Sequence, residues 1–432
     1  MGKDTEKQLK KADKLYRAMQ YKRAAKLFNT VGNKFLNLGN YEHAKECFFN
    51  AAKSALNEEK YYNGLEFLRS AGDASLYNSE FLTGYDFFKE ALNYVPNLRS
   101  SSERNYQFIL FSCLSYLCLF VEGQQEEGLS LVKKIKTYVD DAYFKENPFI
   151  KLIKNLTVAT KDKKDDYIKR IVNDFENFKF RGGEINLAKQ ALVLAKTIVS
   201  LIVKLSMDKN VYTTNDVINL TMHIDTTPLL DIKNNPFYNY KVKEIKISKI
   251  RLNISDNFTT LKKAELPIVI MPGQNYQIDL LLKPHFQMEN PYIGPILLTS
   301  ELNGNLKFFY EITEILHPHL ISPPPTLDIS IKSLRPPLIG QSFPLEILIE
   351  NKSEGEALDL NIEIQFPENL KVMRGTLKKQ IYSLRSNENI KWEINLKPLE
   401  AGDYTVKIKA TFKDPDQNIL GEIKDFPLSI KL

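Results

Sequence analysis

The chain has 432 residues, 43% hydrophobic and 26% charged, which is ordinary for a folded soluble protein, leaves disorder a minor theme and allows two to four domains. Its formal net charge of +6 is carried by residues 1–30, where nine Lys or Arg face three Asp or Glu, so everything downstream balances to zero. So mild a basicity, without interleaved aromatic platforms, argues against a nucleic-acid partner.

Residues 3–19 predict a helix with Leu9, Ala12, Tyr16 and Met19 on one face. Lys3, Lys7, Lys10, Lys14 and Arg17 recur on another face at alternating spacings of four and three. Such a row is either a solvated helix face or a contact with an anionic membrane surface or an acidic partner segment.

From Tyr21 a repeat begins. Tyr21-Lys-Arg-Ala24-Ala-Lys-Leu-Phe28 returns twenty residues on as Tyr41-Glu-His-Ala44-Lys-Glu-Cys-Phe48, and again as Tyr61-Tyr-Asn-Gly64-Leu-Glu-Phe67-Leu68. Over forty residues Val31-Gly32-Asn33 aligns with Ala71-Gly72-Asp73, and Cys47-Phe48-Phe49 with Phe87-Phe88. The large, small and large positions fall three and four apart, on one face of a helix, and the small residue admits a neighbouring helix. Turn signals at Leu38-Gly39-Asn40 and Leu56-Asn57-Glu58 keep the same period, so each unit reads as a helix plus a turn and two units as an antiparallel pair. Over residues 8–95 this pattern resembles the tetratricopeptide repeat, and the forty-residue pair is similar to the soluble NSF attachment protein branch of that superfamily. The resemblance implies an α-solenoid that docks other proteins.

Further helices are predicted at 105–121, 124–140, 147–160, 163–180 and 184–206. The uncharged run from Asn105 to Val121 lies at the lower edge of a membrane span in length and reads better as a buried solenoid helix. Arg181-Gly182-Gly183 reads as a helix-terminating turn, and Ile185–Leu205 as the helix that closes the array.

At Asp208-Lys-Asn210 the pattern changes to alternation: 216–224, 241–254, 265–270, 276–283, 293–300 and 306–312 read as strands of a β-sandwich. Residues 317–325, within Leu316-His-Pro-His-Leu-Ile-Ser-Pro-Pro-Pro325, read as a stiff extended linker. A second strand set follows at 326–331, 343–350, 358–366, 389–396, 403–412 and 419–432, with Trp392 expected in its core. Leu399-Glu-Ala-Gly402-Asp-Tyr404 resembles the tyrosine corner of immunoglobulin-like sandwiches of the appendage or cell-adhesion-related type, which implies a Tyr404 hydroxyl bonded back to main chain. No cysteine pair is present for a cross-sheet disulfide.

The fold expected is therefore multidomain α + β: a solenoid over 1–206 and immunoglobulin-like sandwiches over 207–316 and 326–432. Cys47, Cys113 and Cys118 fall in predicted helices, and the spacing of the last two puts them on different faces, so a reducing compartment fits better than a disulfide or a metal site. No apolar segment follows the N-terminal charges, Glu6 stands where myristoylation wants Ser or Thr, and the sequons at Asn253 and Asn257 matter only in a secretory lumen. A cytoplasmic, at most membrane-peripheral, location is expected.

No phosphate-binding glycine loop, HExxH, CxxC or GxSxG motif occurs, and His317 and His319, flanking Pro318, lack further metal ligands nearby. No enzyme activity, cofactor, metal or small-molecule substrate is expected. The expectation is a protein–protein adaptor or scaffold, architecturally similar to tethering and coat subunits of vesicle traffic, with partners docked near Tyr21, Lys22, Tyr41, Glu42, Tyr61 and Tyr62. Two rivals are a membrane-peripheral fusion or tethering factor using the basic row, and a cell-surface adhesion protein.

Overall fold

The computed structural model describes residues 3–230, 241–286 and 288–431; Met1-Gly2 and the Lys3 side chain lie outside it. The helical part comprises α1 (Lys3–Arg17), α2 (Tyr21–Asn37), α3 (Tyr41–Asn57), α4 (Tyr61–Tyr77), α5 (Phe81–Tyr94), α6 (Ser101–Val121), α7 (Gln125–Ile135), α8 (Asp141–Glu146), α9 (Pro148–Asp162), α10 (Asp165–Asn173) and α11 (Gly182–Ser200).

The twenty-residue period sets the geometry of α2 to α5. Helices α1 to α4 are each followed by one residue of left-handed conformation, at Met19, Gly39, Glu59 and Ser79, with φ between 55° and 71°. The following N–H then bonds five residues back: Gln20 to Leu15, Asn40 to Phe35, Lys60 to Ala55 and Glu80 to Ser75, at 2.9 to 3.1 Å. This pattern satisfies carbonyls that a helix end would otherwise leave open, and it reverses the chain in three residues. Met19 therefore stands in the turn, 73% exposed, rather than on the buried face of α1.

Ala24, Ala44, Gly64 and Gly84 are buried where consecutive helices meet. A methyl group on Gly64 would come within 2.5 Å of Leu56, and on Gly32 or Gly72 within 2.8 or 2.3 Å of the Phe48 or Phe88 ring. Small residues here admit large partners, which is why the repeat needs both.

Helix α6 is the one described helix apolar and long enough to cross a membrane by length and composition, and Ile109–Val121 is buried throughout by protein. A helix apolar on every side has no solvent face to offer. The predicted helix at 163–180 is broken: α10 stops at Asn173, a 3-10 turn covers Phe175–Phe178, and Lys179 adopts a left-handed φ of 48°.

The Gly182-Gly183 pair begins α11 rather than terminating a helix. Side chains at these positions would strike the Tyr77 hydroxyl at 1.8 Å and the Asp73 carbonyl at 2.2 Å, so the glycines let α11 dock on α4. Helix α11 thus runs back along α4, α6 and α9. It also ends early, at Ser200, and Ile202–Met207 is strand β1 rather than the end of the closing helix.

Two four-stranded antiparallel sheets follow, ordered β1-β3-β7-β5 and β6-β4-β8-β9. Their strands are β3 (Ile218–Asp225), β4 (Ile245–Ile254), β5 (Phe258–Lys262), β6 (Ile268–Ile270), β7 (Asn275–Pro284), β8 (Ile293–Leu302) and β9 (Leu306–Ile312). Alternation decides what faces inward: Ile218, Leu220, Met222 and Ile224 of β3 and Leu306, Phe308, Tyr310 and Ile312 of β9 are buried. One continuous apolar cluster joins these sheets to the helices, extending from Ala52 through α6 and α11 to Leu320. Polar contacts reinforce the junction. The Tyr310 hydroxyl donates to Leu201 O at 2.8 Å, Lys307 pairs with Glu122 at 2.7 Å, and Lys163 lies 3.9 Å above the Tyr310 ring while donating to Glu311 O.

Part of the predicted linker is also structured: β10 (His319–Ile321) pairs in parallel with β2 (Val211–Thr213). Beyond it lies a second sandwich of sheets β11-β12-β16-β14 and β15-β13-β17-β18. Its strands are β11 (Leu327–Ser333), β12 (Phe343–Asn351), β13 (Ala357–Gln365), β14 (Leu370–Arg374), β15 (Lys378–Leu384), β16 (Asn389–Pro398), β17 (Gly402–Lys413) and β18 (Ile419–Ile430). A separate apolar cluster, drawn only from Leu327 onwards, fills it. Trp392 sits half-buried at the margin of that cluster rather than within it, with the Lys379 amine 4.8 Å from its ring centre. The Tyr404 hydroxyl donates to Glu400 O at 3.0 Å, the local bond expected of it.

Candidate interaction surface

Because α2 to α5 alternate in direction, their N-terminal aromatics alternate between the two ends of the array. Tyr21, Lys22, Tyr61 and Tyr62 lie at one end, Tyr41 and Glu42 at the other. The six residues therefore line no single groove.

At the first end Tyr21 packs edge-on against Tyr16, 5.4 Å between ring centres, and Tyr61 leans on the apolar core. Lys22 is exposed and Tyr62 is 47% exposed, so these two offer the accessible surface at this end. The Glu66 carboxylate near Tyr62, then burial, hold its phenol above the ordinary range. At the second end Tyr41 stacks flat on Tyr77, 4.6 Å between centres at 6°. Glu42 and Glu80 both bind Lys45, at 2.7 and 2.6 Å. Burial alone would lower the Lys45 pKa, and the two carboxylates outweigh it, so the amine stays above its usual value. Tyr41 thus holds α3 to α4, while Glu42 stays exposed and pairs within α3, where Lys45 reaches on to Glu80 at the start of α5.

On α1, Lys7, Lys10, Lys14 and Arg17 are exposed, and Lys10 pairs with Glu6 at 3.1 Å. Exposed pairs of this kind contribute little to stability, so the row is available to solvent or a partner.

Sequence reasoning missed the most tightly built polar group. Arg69 of α4 grips Glu184 of α11 through two bonds of 2.6 and 2.7 Å, and the Glu184 side chain is wholly buried. Glu184 also accepts the Arg181 N–H at 2.8 Å, while Asp73 accepts the Glu184 N–H at 2.9 Å. Arg181 reaches Ser70 and Glu66 beyond them. Burial, then the neighbouring Glu184 carboxylate, push the Asp73 carboxyl up to about 6. The one hint in the sequence was Arg69 and Asp73 four apart among apolar residues of α4, with a glycine pair before Glu184. With Gly182 and Gly183 against α4, the cluster has no room for a ligand and acts as a clamp between helices.

Nucleophiles are equally enclosed. Cys47, Cys113 and Cys118 are buried free thiols; burial pushes Cys47 up to about 12 and raises the other two as well. Such thiols are poor nucleophiles and poor metal ligands. His317 hydrogen-bonds Pro291 O through Nδ1 at 3.1 Å, and no group of three His, Cys, Asp or Glu suited to a metal occurs among the described residues. No family model and no curated protein matches the chain.

Proposed function

We propose that the chain is a docking scaffold without catalytic chemistry, in which a tetratricopeptide- and attachment-protein-like array carries two immunoglobulin-like sandwiches in an adaptor, tether or coat assembly. The observation that carries this reading is the run of repeated antiparallel helices, whose small-on-large packing buries one face of each helix and leaves Lys22 and Tyr62 outward at one end. Repeat arrays of this build present extended surfaces rather than reaction centres. The Tyr404-to-Glu400 bond supports the immunoglobulin-like reading of the second sandwich.

The test is a comparison of proteins co-purified from the native host by the wild type and by a Lys22→Glu, Tyr62→Ala variant. Both positions are exposed, so thermal unfolding should not change. Partners lost selectively by the variant support docking at this end; an identical partner set removes that surface from the proposal.

A second reading, a membrane-peripheral factor, is favoured by the exposed row on α1. Basic side chains near an anionic bilayer contribute about 1 kcal/mol each, screened by salt. Wild type is expected to sediment with anionic liposomes at low salt, and a variant with Lys3, Lys7, Lys10, Lys14 and Arg17 changed to Gln to remain in solution. Equal sedimentation by both would leave the row an ordinary solvated face.

A further inference from the structure

The outer strand of the second sandwich, β18, is 12 residues long and pairs with β17 without a register shift. Its other side has no strand partner among the described residues. Which backbone groups point that way is fixed at both ends. At the hairpin, Asp414 donates its N–H to Asn418 O at 3.0 Å in the same register, which turns the even-numbered residues of β18 toward β17 and the odd-numbered ones outward. At the far end Lys431 donates to Pro337 O and accepts from the Ile339 N–H, both at 3.0 Å, on that outward side. Pro427, which has no N–H to give to β17, falls in the outward set as well. The backbone groups of Ile419, Gly421, Ile423 and Asp425 therefore face an open edge, which ends where residues 337–339 cover it. Two of these residues also carry large apolar side chains into solvent, Ile419 at 79% and Ile423 at 62% exposure. An edge of this kind is a template for another strand.

We propose that β18 pairs antiparallel with β18 of a second copy of this chain, about a two-fold axis at Ile423, joining two four-stranded sheets into one continuous sheet. The strand sequence selects this register. Residues 419–427 oppose 427–419 of the second copy, so Ile423 meets its own counterpart on the outer face and exchanges both backbone bonds with it. On the inner face Leu420 lies opposite Phe426, and Glu422 opposite Lys424. Moving the axis by one residue in either direction sets Lys424 against Lys424 or Glu422 against Glu422, and like charges directly opposite each other destabilise a sheet. Glu422 keeps the Leu327 N–H at 3.1 Å and Lys424 keeps Asp328 at 3.3 Å within their own chain, so the pairing strips neither charge of its partner. The contact lies wholly on the sandwich that fills its own core, away from the helices. It goes beyond the docking reading: a pair of chains presents two helical arrays in place of one.

Sedimentation velocity of the full chain over a concentration series tests the pairing. The wild type is expected to shift from monomer to dimer as concentration rises. Ile423→Lys, a change at an exposed position, should abolish that shift and leave thermal unfolding as it was. Oxidative cross-linking reads the register. Directly opposite Cα atoms in such a pair are about 5.5 Å apart, within disulfide reach, so Ile423→Cys should give a linked dimer. Ile419→Cys, whose counterpart lies roughly 27 Å away along the strands, should not. The native thiols are buried and do not compete. If the wild type stays monomeric throughout, if Ile423→Lys dimerises as the wild type does, or if the two cysteine variants behave alike, the proposal is overturned. The contrast between the cysteine variants decides the matter even if Ile423→Lys fails to fold.

Discussion

The two sandwiches have similar sheet plans and different dependence on their surroundings. The first shares its apolar interior with α6 and α11, and Tyr310, Lys307 and Lys163 tie its β9 sheet to the helices. The second closes a core of its own from Leu327 onwards. A sheet pair made of alternating strands can thus be filled from within or completed by a neighbour, and strand patterning alone does not distinguish the two cases.

The most severe way to break this comparison is to cut the chain. Residues 326–432 alone should unfold cooperatively and give a dispersed NMR spectrum. Residues 208–325, deprived of β1 and of the helices that complete their core, should give a collapsed spectrum and bind apolar dyes. A molten 326–432 fragment, or a well-folded 208–325 fragment, would contradict the contrast.

Within the full chain, Arg69→Ala strands a buried carboxylate at Glu184, and breaking one side of a buried pair typically costs about 3–5 kcal/mol. The loss should fall on the transition of the helices and first sandwich, with that of the second sandwich unmoved. A uniform loss across both transitions would mean that the two bodies unfold together.

A third experiment uses pH. Asp73 binds its proton more tightly in the folded protein, at about 6, than its ordinary value of 3.8 implies for the unfolded chain. Its contribution to stability is therefore complete below about pH 4 and is lost as pH rises through about 6. Relative to Asp73→Asn, which keeps an oxygen for the Glu184 N–H, the wild type should lose about 1–3 kcal/mol across that window. Denaturant midpoints of both proteins at several pH values measure it; parallel curves would show that Asp73 titrates normally.

The smallest effect is local to the second sandwich. Tyr404→Phe removes one hydroxyl bond that is partly open to water, so a loss of about 0.5–1.5 kcal/mol, toward the lower end, is expected in the unfolding of residues 326–432. Unchanged stability would remove Tyr404 from the supports of its corner.

The repeat was legible because helix-face spacing is written into every unit: an aromatic, a small residue and a second large residue at fixed offsets leave few other folds open. What escaped reading was decided by distant neighbours. Ile202–Met207 continues the apolar run of α11 without a Gly or Pro break, and only its pairing with β3 makes it strand. Lys378–Leu384 is so polar that no alternation stands out, because β15 is an edge strand with one exposed side. The three residues of β10 were hidden between prolines. For the candidate surface, the N-terminal tyrosines were visible, but their division between two ends follows from helix direction, which a list of positions does not carry. The clamp at Arg69 and Glu184 joins residues more than a hundred positions apart, and each alone looks like an ordinary surface charge.

The parallel pairing of β2 with β10 has a mechanical consequence. The chain enters the first sandwich from α11 through β1 and β2, and leaves it through β10 toward the second sandwich. Tension applied between the helices and the second sandwich pulls on β2 from its N-terminal side and on β10 from its C-terminal side. The load crosses three residue pairs in shear, Val211 with His319, Tyr212 with Leu320 and Thr213 with Ile321, and bypasses the hundred or so residues folded between them. While that short ladder holds, the pull from the second sandwich is passed across to β2, beside the strand that leads in from the helices; once it slips, the pull falls on the Leu316–Ile293 bridge and then on the sheets whose core the helices share.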